Sequence, residues 1–81
     1  MSKKQNKQQL ITRAVWAKIR YYQMIDDMPD AVLAEYLGVC PRTLLNYDKN
    51  ASSLTLGQLA AYLDYTDRKM NDLVPADIVG L

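Results

Sequence analysis

The sequence predicts an all-α protein, a compact bundle of five helices, and two observations support this class. Apolar residues recur at intervals of three and four along successive segments, which is the spacing of helices that bury one face. No segment alternates apolar and polar residues as a half-buried strand does. The 81 residues suffice for one small domain. We predict a disordered basic arm over 1–7, a folded domain over 8–75 and a C-terminal tail over 76–81.

The first predicted helix runs from about Gln8 to Asp26, and Pro29 separates it from the second. Its apolar stripe has intervals of four, four, three and three and consists of Ile11, Val15, Ile19, Tyr22 and Ile25. Trp16 lies off this stripe, where it either extends the core or joins an exposed apolar patch.

Two short helices joined by a sharp turn follow, over Asp30–Leu37 and Pro41–Lys49. Gly38 adopts a positive φ at little cost and so ends the earlier helix. Ala34 is small where the later helix must approach, and Pro41 suits a first helical turn because its missing N–H costs nothing there. This spacing is typical of a helix-turn-helix, whose second helix commonly enters a DNA major groove. It also fits an ordinary pair of antiparallel helices with a glycine stop.

A polar loop over 50–53 leads to a fourth helix and then to a short fifth one. Thr55 and Gln58 have the spacing of a capping box at the start of the fourth helix. We expect left-handed backbone at Asp64 and an N-cap at Thr66. The expected buried residues of these two helices are Leu56, Leu59, Ala60, Leu63, Met70, Leu73 and Val74.

From Ile19 to Leu73 the chain reads IRYYQMIDDMPDAVLAEYLGVCPRTLLNYDKNASSLTLGQLAAYLDYTDRKMNDL. This segment resembles the Cro/C1-type (phage repressor-like) helix-turn-helix family, which has a first helix, the two-helix motif, a polar loop and two more helices. The resemblance implies a sequence-specific transcriptional regulator of the repressor type that inserts its third helix into the major groove of double-stranded DNA. It also implies a homodimer, because two-fold protein symmetry must match a near-palindromic operator. A dimer surface is expected on helix five and the tail, at Val74, Ile78, Val79 and Leu81.

By position, the resemblance implies that the start and the outer face of the third helix contact DNA. Arg42 suits a bidentate pair with guanine, Asn46 suits one with adenine, and Leu45 suits contact with a thymine methyl group. Each good pair contributes roughly 1–3 kcal/mol of discrimination between bases. The expected DNA contacts, base edges and phosphates together, are Cys40, Pro41, Arg42, Thr43, Leu45, Asn46, Lys49, Ser52, Ser53, Lys3, Lys4 and Lys7. Arg42, Asn46 and Lys49 are equally ordinary residues for a solvated helix face.

Charge is distributed unevenly along the chain, although its net charge is only +1. Residues 1–20 carry six basic and no acidic side chains, whereas residues 21–81 carry four basic and nine acidic ones. The basic start, with Lys3, Lys4 and Lys7, suits salt-dependent contacts with phosphates. It equally suits a solvated leader that keeps the protein soluble.

The segment departs from the pattern of the family at several contact positions. A polar residue that donates hydrogen bonds to a base commonly stands where this chain has Pro41. At the start of helix two, Asp30 would repel a phosphate that a neutral side chain usually holds. Some members pair an arginine on helix one with an acid on helix three. Here the corresponding residues are Gln23 and Asp48, which could form a hydrogen bond but no ion pair.

Two other functions remain open. Val32 and Tyr36 lie four apart on helix two, at positions that are usually polar and outward in the family. With Leu45 they would form an apolar patch, and such patches often mark protein interfaces. The same fold would then be a module that binds or inhibits a protein partner. The third reading is an architectural DNA binder without sequence specificity that depends on its basic arm.

The residue inventory argues against several classes of function. The chain has no histidine, one cysteine, Cys40, and no glycine-rich phosphate loop, so we expect no enzyme, no metal site and no cofactor. It has no apolar run long enough to cross a membrane and no secretory signal. We therefore expect no membrane partner and a cytoplasmic location.

Overall fold

The structure, a computed structural model, describes residues 7–73 of the chain, with side chains from residue 10 onward. Within this range it contains no strand and five helices: α1 (Lys7–Ile25), α2 (Asp30–Leu37), α3 (Pro41–Lys49), α4 (Leu56–Thr66) and α5 (Met70–Leu73). The predicted all-α bundle is therefore confirmed. Helix α1 begins at Lys7, inside the stretch expected to form the arm. The expectations for Lys3 and Lys4, and those for Val74, Ile78, Val79 and Leu81, lie outside the described residues.

All five helices contribute to one hydrophobic core. Ala34 on α2 is 1% exposed, so the close approach of neighbouring elements at this position requires its small side chain. The other buried apolar residues are Val15, Trp16, Ile19, Leu33, Leu37, Leu44, Tyr47, Ala51, Leu54, Leu59, Tyr62 and Leu73. Burial of this surface is the main contribution to folding, at about 25 cal/mol for each square ångström of apolar area.

The apolar stripe of α1 was predicted too long at both ends. Val15 and Ile19 are buried as expected, whereas Ile11 and Ile25 are exposed. Ile11 and Ile25 lie near the two ends of α1, a 19-residue helix that extends about 28 Å, and their side chains face solvent. Trp16 is buried and extends the core, so one of its two expected roles is confirmed.

The turn between α2 and α3 depends on the backbone conformation of Gly38. Its φ is +76°, which lies in the left-handed region, and its N–H bonds the Glu35 carbonyl. A Cβ atom built at this glycine would meet no atom within 4 Å, so the requirement comes from φ and not from space. Val39 N–H then bonds the Ala34 carbonyl, and Pro41 occupies the first position of α3.

Helix α4 begins as predicted and ends later than predicted. Thr55 and Gln58 form the capping box, with hydrogen bonds of 3.1 Å and 2.8 Å. The helix continues through Asp64, and Asp67 is the left-handed residue, with φ of +56°. Thr66 is no N-cap, since its hydroxyl donates to the Tyr62 carbonyl one turn earlier.

The predicted buried face of the last two helices is also partly wrong. Leu59 and Leu73 are buried, and Leu63 packs against the core. Leu56, Ala60 and Met70 are exposed. Tyr62, which was not among the predicted core residues, is fully buried. Leu59 and Tyr62, three residues apart, form the buried face of α4.

Candidate functional site

Helix α3 has one buried face and one open face. Leu44 and Tyr47, three residues apart, are buried against the core. Arg42, Leu45, Asn46 and Lys49 have helical spacing on the opposite side, and all four are exposed. We call these four residues the outer face. The outer face therefore projects from the bundle as the sequence predicted.

The polar side chains of the outer face are not engaged by the rest of the described chain. Arg42, Asn46 and Lys49 make no side-chain hydrogen bond or ion pair with any described residue. Leu45 is 55% exposed, which is high for a leucine. A partner would therefore meet a guanidinium, an amide, an ammonium and one apolar side chain on a single helix surface.

The start of α3 is less open than its outer face. Cys40 and Pro41 are exposed, whereas Thr43 is half-buried. The Cys40 sulfur lies 3.9 Å from the Thr43 hydroxyl oxygen, so these two polar groups face each other. Pro41 has no side-chain donor, so it cannot make the hydrogen bonds to a base that a polar residue commonly makes at this position in the family that the sequence resembles.

The loop after α3 is stabilised by a hydrogen bond within the loop and by two buried apolar residues. The Asn50 side-chain oxygen accepts a 2.9 Å hydrogen bond from Ser52 N–H, and Ala51 and Leu54 are buried. Ser53 is exposed and Ser52 is half-buried. Chain connectivity brings both serines close to the end of the outer face. Lys7 is the first residue of α1.

A polar cluster joins α1 to the start of α2 and to the end of α3. Its central residue is Arg20, which donates to both carboxylate oxygens of Asp48 at 3.1 Å and 3.0 Å. The same guanidinium donates to Asp30 at 2.9 Å and lies 5.2 Å from the Trp16 ring centre. Trp16 Nε1 donates to Asp48 at 2.8 Å. With Gln23, these residues form what we call the polar cluster.

Gln23 completes the polar cluster from a buried position. Its side-chain oxygen accepts from Arg20 at 2.7 Å, and its amide nitrogen donates to Asp30 at 2.7 Å and to the Met28 carbonyl at 3.0 Å. Gln23 thus bonds Arg20, Asp30 and Met28, and it forms no hydrogen bond with Asp48. Arg20, one helical turn earlier, supplies an ion pair that was not expected.

The polar cluster changes the electrostatics at the start of α2. Hydrogen bonds from Gln23 and from Arg20 lower the pKa of the Asp30 carboxyl. Hydrogen bonds from Arg20 and from the Trp16 indole lower the pKa of Asp48, against the opposing effect of partial burial. Both carboxylates are therefore ionised near neutral pH and paired with one cation. Asp30 is not the isolated anion that the sequence suggested.

Sequence reasoning missed Arg20, although a signal for it was present. Trp16, Arg20 and Gln23 follow one another at intervals of four and three, so they share one face of α1. That face lies beside the apolar stripe and carries an aromatic residue that a guanidinium can stack on. What the spacing does not reveal is which carboxylates of other helices meet this face.

The apolar residues expected to form a protein-binding patch are only partly accessible. Val32 and Tyr36 are half-buried, and the Tyr36 ring stacks on Tyr65 with centres 4.7 Å apart. Tyr36 is therefore packed between α2 and α4. Leu45 is the most exposed of the three predicted residues.

Among residues 7–73, no group of three side chains has the composition and arrangement to hold a metal ion. No helix in that range is both long and apolar enough to cross a membrane.

No protein-family model, no curated protein and no solved structure matches this chain. The resemblance to the Cro/C1-type family therefore remains a prediction. The candidate site is defined by the outer face of α3 and the loop that follows it.

Proposed function

We propose that the protein is a sequence-specific DNA-binding regulator of transcription that inserts α3 into the major groove. The observation that carries the proposal is the outer face. Its three polar side chains make no hydrogen bond or ion pair within the described residues, while Leu44 and Tyr47 hold the opposite side of the same helix in the core. A rigid helix that presents unengaged donors is the element that major-groove readers use.

The chemistry of the outer face suits base recognition. Arg42 would donate two hydrogen bonds to a guanine, Asn46 would pair with an adenine, and Leu45 would contact a thymine methyl group. Lys49, Ser52 and Ser53 would contact phosphates and fix the register of α3 on the duplex. In this proposal Lys3, Lys4 and Lys7 add affinity without specificity.

The polar cluster removes one objection to DNA binding. Asp30 begins α2, where a repressor-like domain would approach a phosphate, and a free carboxylate there would repel it. Arg20 and Gln23 both donate to Asp30, so its charge is partly compensated by a cation that it shares with Asp48. Pro41 remains a departure, and base readout in this proposal begins at Arg42.

We further propose a homodimer that acts in the cytoplasm on a near-palindromic site. Two-fold symmetric operators require two copies of the reading helix related by a matching axis. Size-exclusion chromatography with light scattering should therefore show a dimer at high micromolar concentration, with or without DNA. A monomer in both conditions contradicts this part of the proposal.

The alternative is a protein-interaction module, and the exposure of Leu45 is the observation that favours it. In that case the apolar patch predicted from the sequence, Val32, Tyr36 and Leu45, would contact a protein partner. Leu45→Ser would then abolish capture of that partner. In the DNA-binding proposal, the same change would reduce only the preference for thymine at one position.

Selection from a random double-stranded DNA library tests the leading proposal. Enrichment of a short palindrome is the expected result, and the half-site spacing would report the separation of the two α3 helices. Arg42→Ala should relax the preference at one base position and cost roughly 1–3 kcal/mol in discrimination. Lys69→Ala removes an exposed cation that follows α4, so it serves as the matched control. Absence of any enriched sequence would contradict the proposal.

A further inference from the structure

A groove lies between α1 and the end of α3. Its volume is about 550 Å³, within the range of pockets that hold small molecules. One wall is formed by α1, through Arg13, Trp16, Ala17 and Arg20. The other wall is formed by the last turn of α3 and the start of the loop, over 47–51. The groove therefore begins where the outer face of α3 ends.

The groove carries a surplus of positive charge. Arg13, Arg20 and Lys49 line it, and Asp48 is the one acid among the lining residues. Asp48 is already paired, since both of its oxygens accept from Arg20 and one also accepts from Trp16. Arg13 and Lys49 make no ion pair or hydrogen bond with another side chain in the described part of the chain. Two cations on opposite walls are thus available to an anion.

The floor of the groove is rigid. The Trp16 and Tyr47 rings meet edge to face with centres 5.1 Å apart, and both residues are buried. The Arg20 guanidinium is fixed over Trp16 by its bonds to two carboxylates and an amide. This part of the groove is therefore held by packing and hydrogen bonds, whereas the side chains of Arg13 and Lys49 are exposed and lose entropy when they bind a ligand.

We propose that this groove binds a phosphate group between Arg13 and Lys49. Guanidinium and ammonium groups are the side chains that bind phosphate best, and Arg13 suits bidentate contact with two of its oxygens. The phosphate belongs either to the backbone of the DNA that α3 reads or to a free phosphate-bearing molecule. A backbone phosphate rests on the proposed function and would extend the DNA contact surface onto α1. A free phosphate-bearing molecule would bind independently of the proposed function.

Trp16 provides a direct measurement, because it is the one tryptophan of the chain and lines the groove. We expect its fluorescence to change saturably as sodium pyrophosphate is added, at ionic strength held constant with sodium chloride. Arg13→Gln and Lys49→Gln should each weaken this binding by about tenfold, since each removes one charged contact. Lys69→Gln removes an equal charge outside the groove and should bind as the wild type does.

A steric variant separates a defined site from general attraction to a basic surface. Ala17 is exposed and lines the groove. Ala17→Leu leaves every charge in place, favours the helix nearly as well and occupies part of the groove. It should weaken pyrophosphate binding to a similar extent. Pyrophosphate binding that is unchanged in Ala17→Leu would indicate general attraction to a basic surface and would overturn the proposal.

The experiment with DNA measures the slope of log affinity against log salt concentration. If the groove holds a backbone phosphate, Arg13→Gln should reduce the slope by about 0.9, the value for one lost phosphate contact, and Lys69→Gln should not. This result assigns the phosphate to DNA. A pyrophosphate effect with an unchanged DNA slope assigns it to a free ligand.

The two proposals can fail separately. Wild-type protein that binds no DNA contradicts the proposed function, and the pyrophosphate titration then decides the groove alone. DNA binding by the wild type with the same slope in Arg13→Gln, together with no response to pyrophosphate, overturns the groove and leaves the function standing.

Discussion

Arg20 and Arg42 have the same chemistry and opposite surroundings. Arg20 bonds Gln23, Asp30 and Asp48 and lies over Trp16. Arg42 projects from α3 and contacts none of the other described polar groups. The comparison separates arginines that hold helices together from those that are open to a partner. The net charge of +1 does not make this distinction, because it counts both kinds equally.

A second arginine cluster lies close to the polar cluster, at the C-terminal end of α1. Arg68 donates to both oxygens of Asp26 at 2.8 Å and 2.9 Å, and its guanidinium lies 3.9 Å from the Tyr22 ring centre. Nearby, burial raises the pKa of the Tyr62 hydroxyl. Each cluster thus combines an arginine, an aromatic ring of α1 and carboxylate groups, and each links the C-terminal half of α1 to another segment. Arg13, Arg42 and Lys49 have no such combination within the described residues.

The largest expected effect comes from Arg20→Ala, which should lower the free energy of unfolding by about 2 kcal/mol. The change removes the contact with Trp16 and leaves two carboxylates and a buried glutamine without their shared donor. Arg42→Ala is the matched control, and it should change stability by less than about 0.5 kcal/mol because its side chain is exposed and unengaged.

Urea denaturation at neutral pH measures the difference between these two variants through the midpoint, provided that the slope of the transition is unchanged. Equal midpoints for Arg20→Ala and Arg42→Ala would show that the polar cluster does not stabilise the fold. The comparison between the two arginines would then lose its energetic basis.

A smaller effect is expected from Asp48→Asn, at about 1 kcal/mol near neutral pH. The amide keeps an acceptor for Trp16 and loses the charge that pairs with Arg20. Because the folded protein lowers the pKa of Asp48, the carboxylate stabilises the fold above its unfolded pKa. This stabilisation disappears as the pH falls through the folded value.

The difference in stability between the wild type and Asp48→Asn should therefore begin to shrink as the pH falls below about 4, the ordinary pKa of an aspartate, and vanish below the lowered pKa of the folded protein. Urea midpoints at a series of pH values test this, with Asp64→Asn as the control for an exposed aspartate outside the cluster. A difference that stays constant from neutral pH to pH 3 would contradict ion pairing at Asp48.

Local signals in the sequence were sufficient for the middle of the fold. The bounds of α2 and α3 were predicted correctly, because Pro29, Gly38 and Pro41 mark them with backbone chemistry that acts within a few residues. The capping box at Thr55 and Gln58 is equally local. The exposure of the outer face follows from the helical repeat once Leu44 and Tyr47 are assigned to the core.

Features that depend on contacts between distant residues could not be predicted in the same way. Left-handed backbone was expected at Asp64, whereas α4 continues to Thr66 and Asp67 is the left-handed residue. Arg20 meets partners that are 10 and 28 residues away in the chain. Helical spacing reveals which residues share a face, and it does not reveal the register between two helices. The groove was missed for the same reason.

Asp30→Asn should have the smallest effect and tests whether the polar cluster neutralises the start of α2. The amide retains an oxygen that accepts from Gln23 and Arg20, so stability should fall by less than about 0.5 kcal/mol. If Arg20 already compensates the carboxylate, removal of its charge should raise DNA affinity by no more than about threefold at moderate salt.

The matched comparison for Asp30→Asn is Arg42→Lys, measured on the palindrome that library selection yields. That variant keeps the charge on the outer face but loses the bidentate geometry, so it should reduce base discrimination much more than Asp30→Asn alters affinity. A rise of more than about tenfold in affinity for Asp30→Asn would mean that the carboxylate repels DNA despite its two donors. Arg20 would then stabilise the fold without screening the Asp30 charge from DNA. The difference between Arg20 and Arg42 would in that case concern stability and not DNA binding.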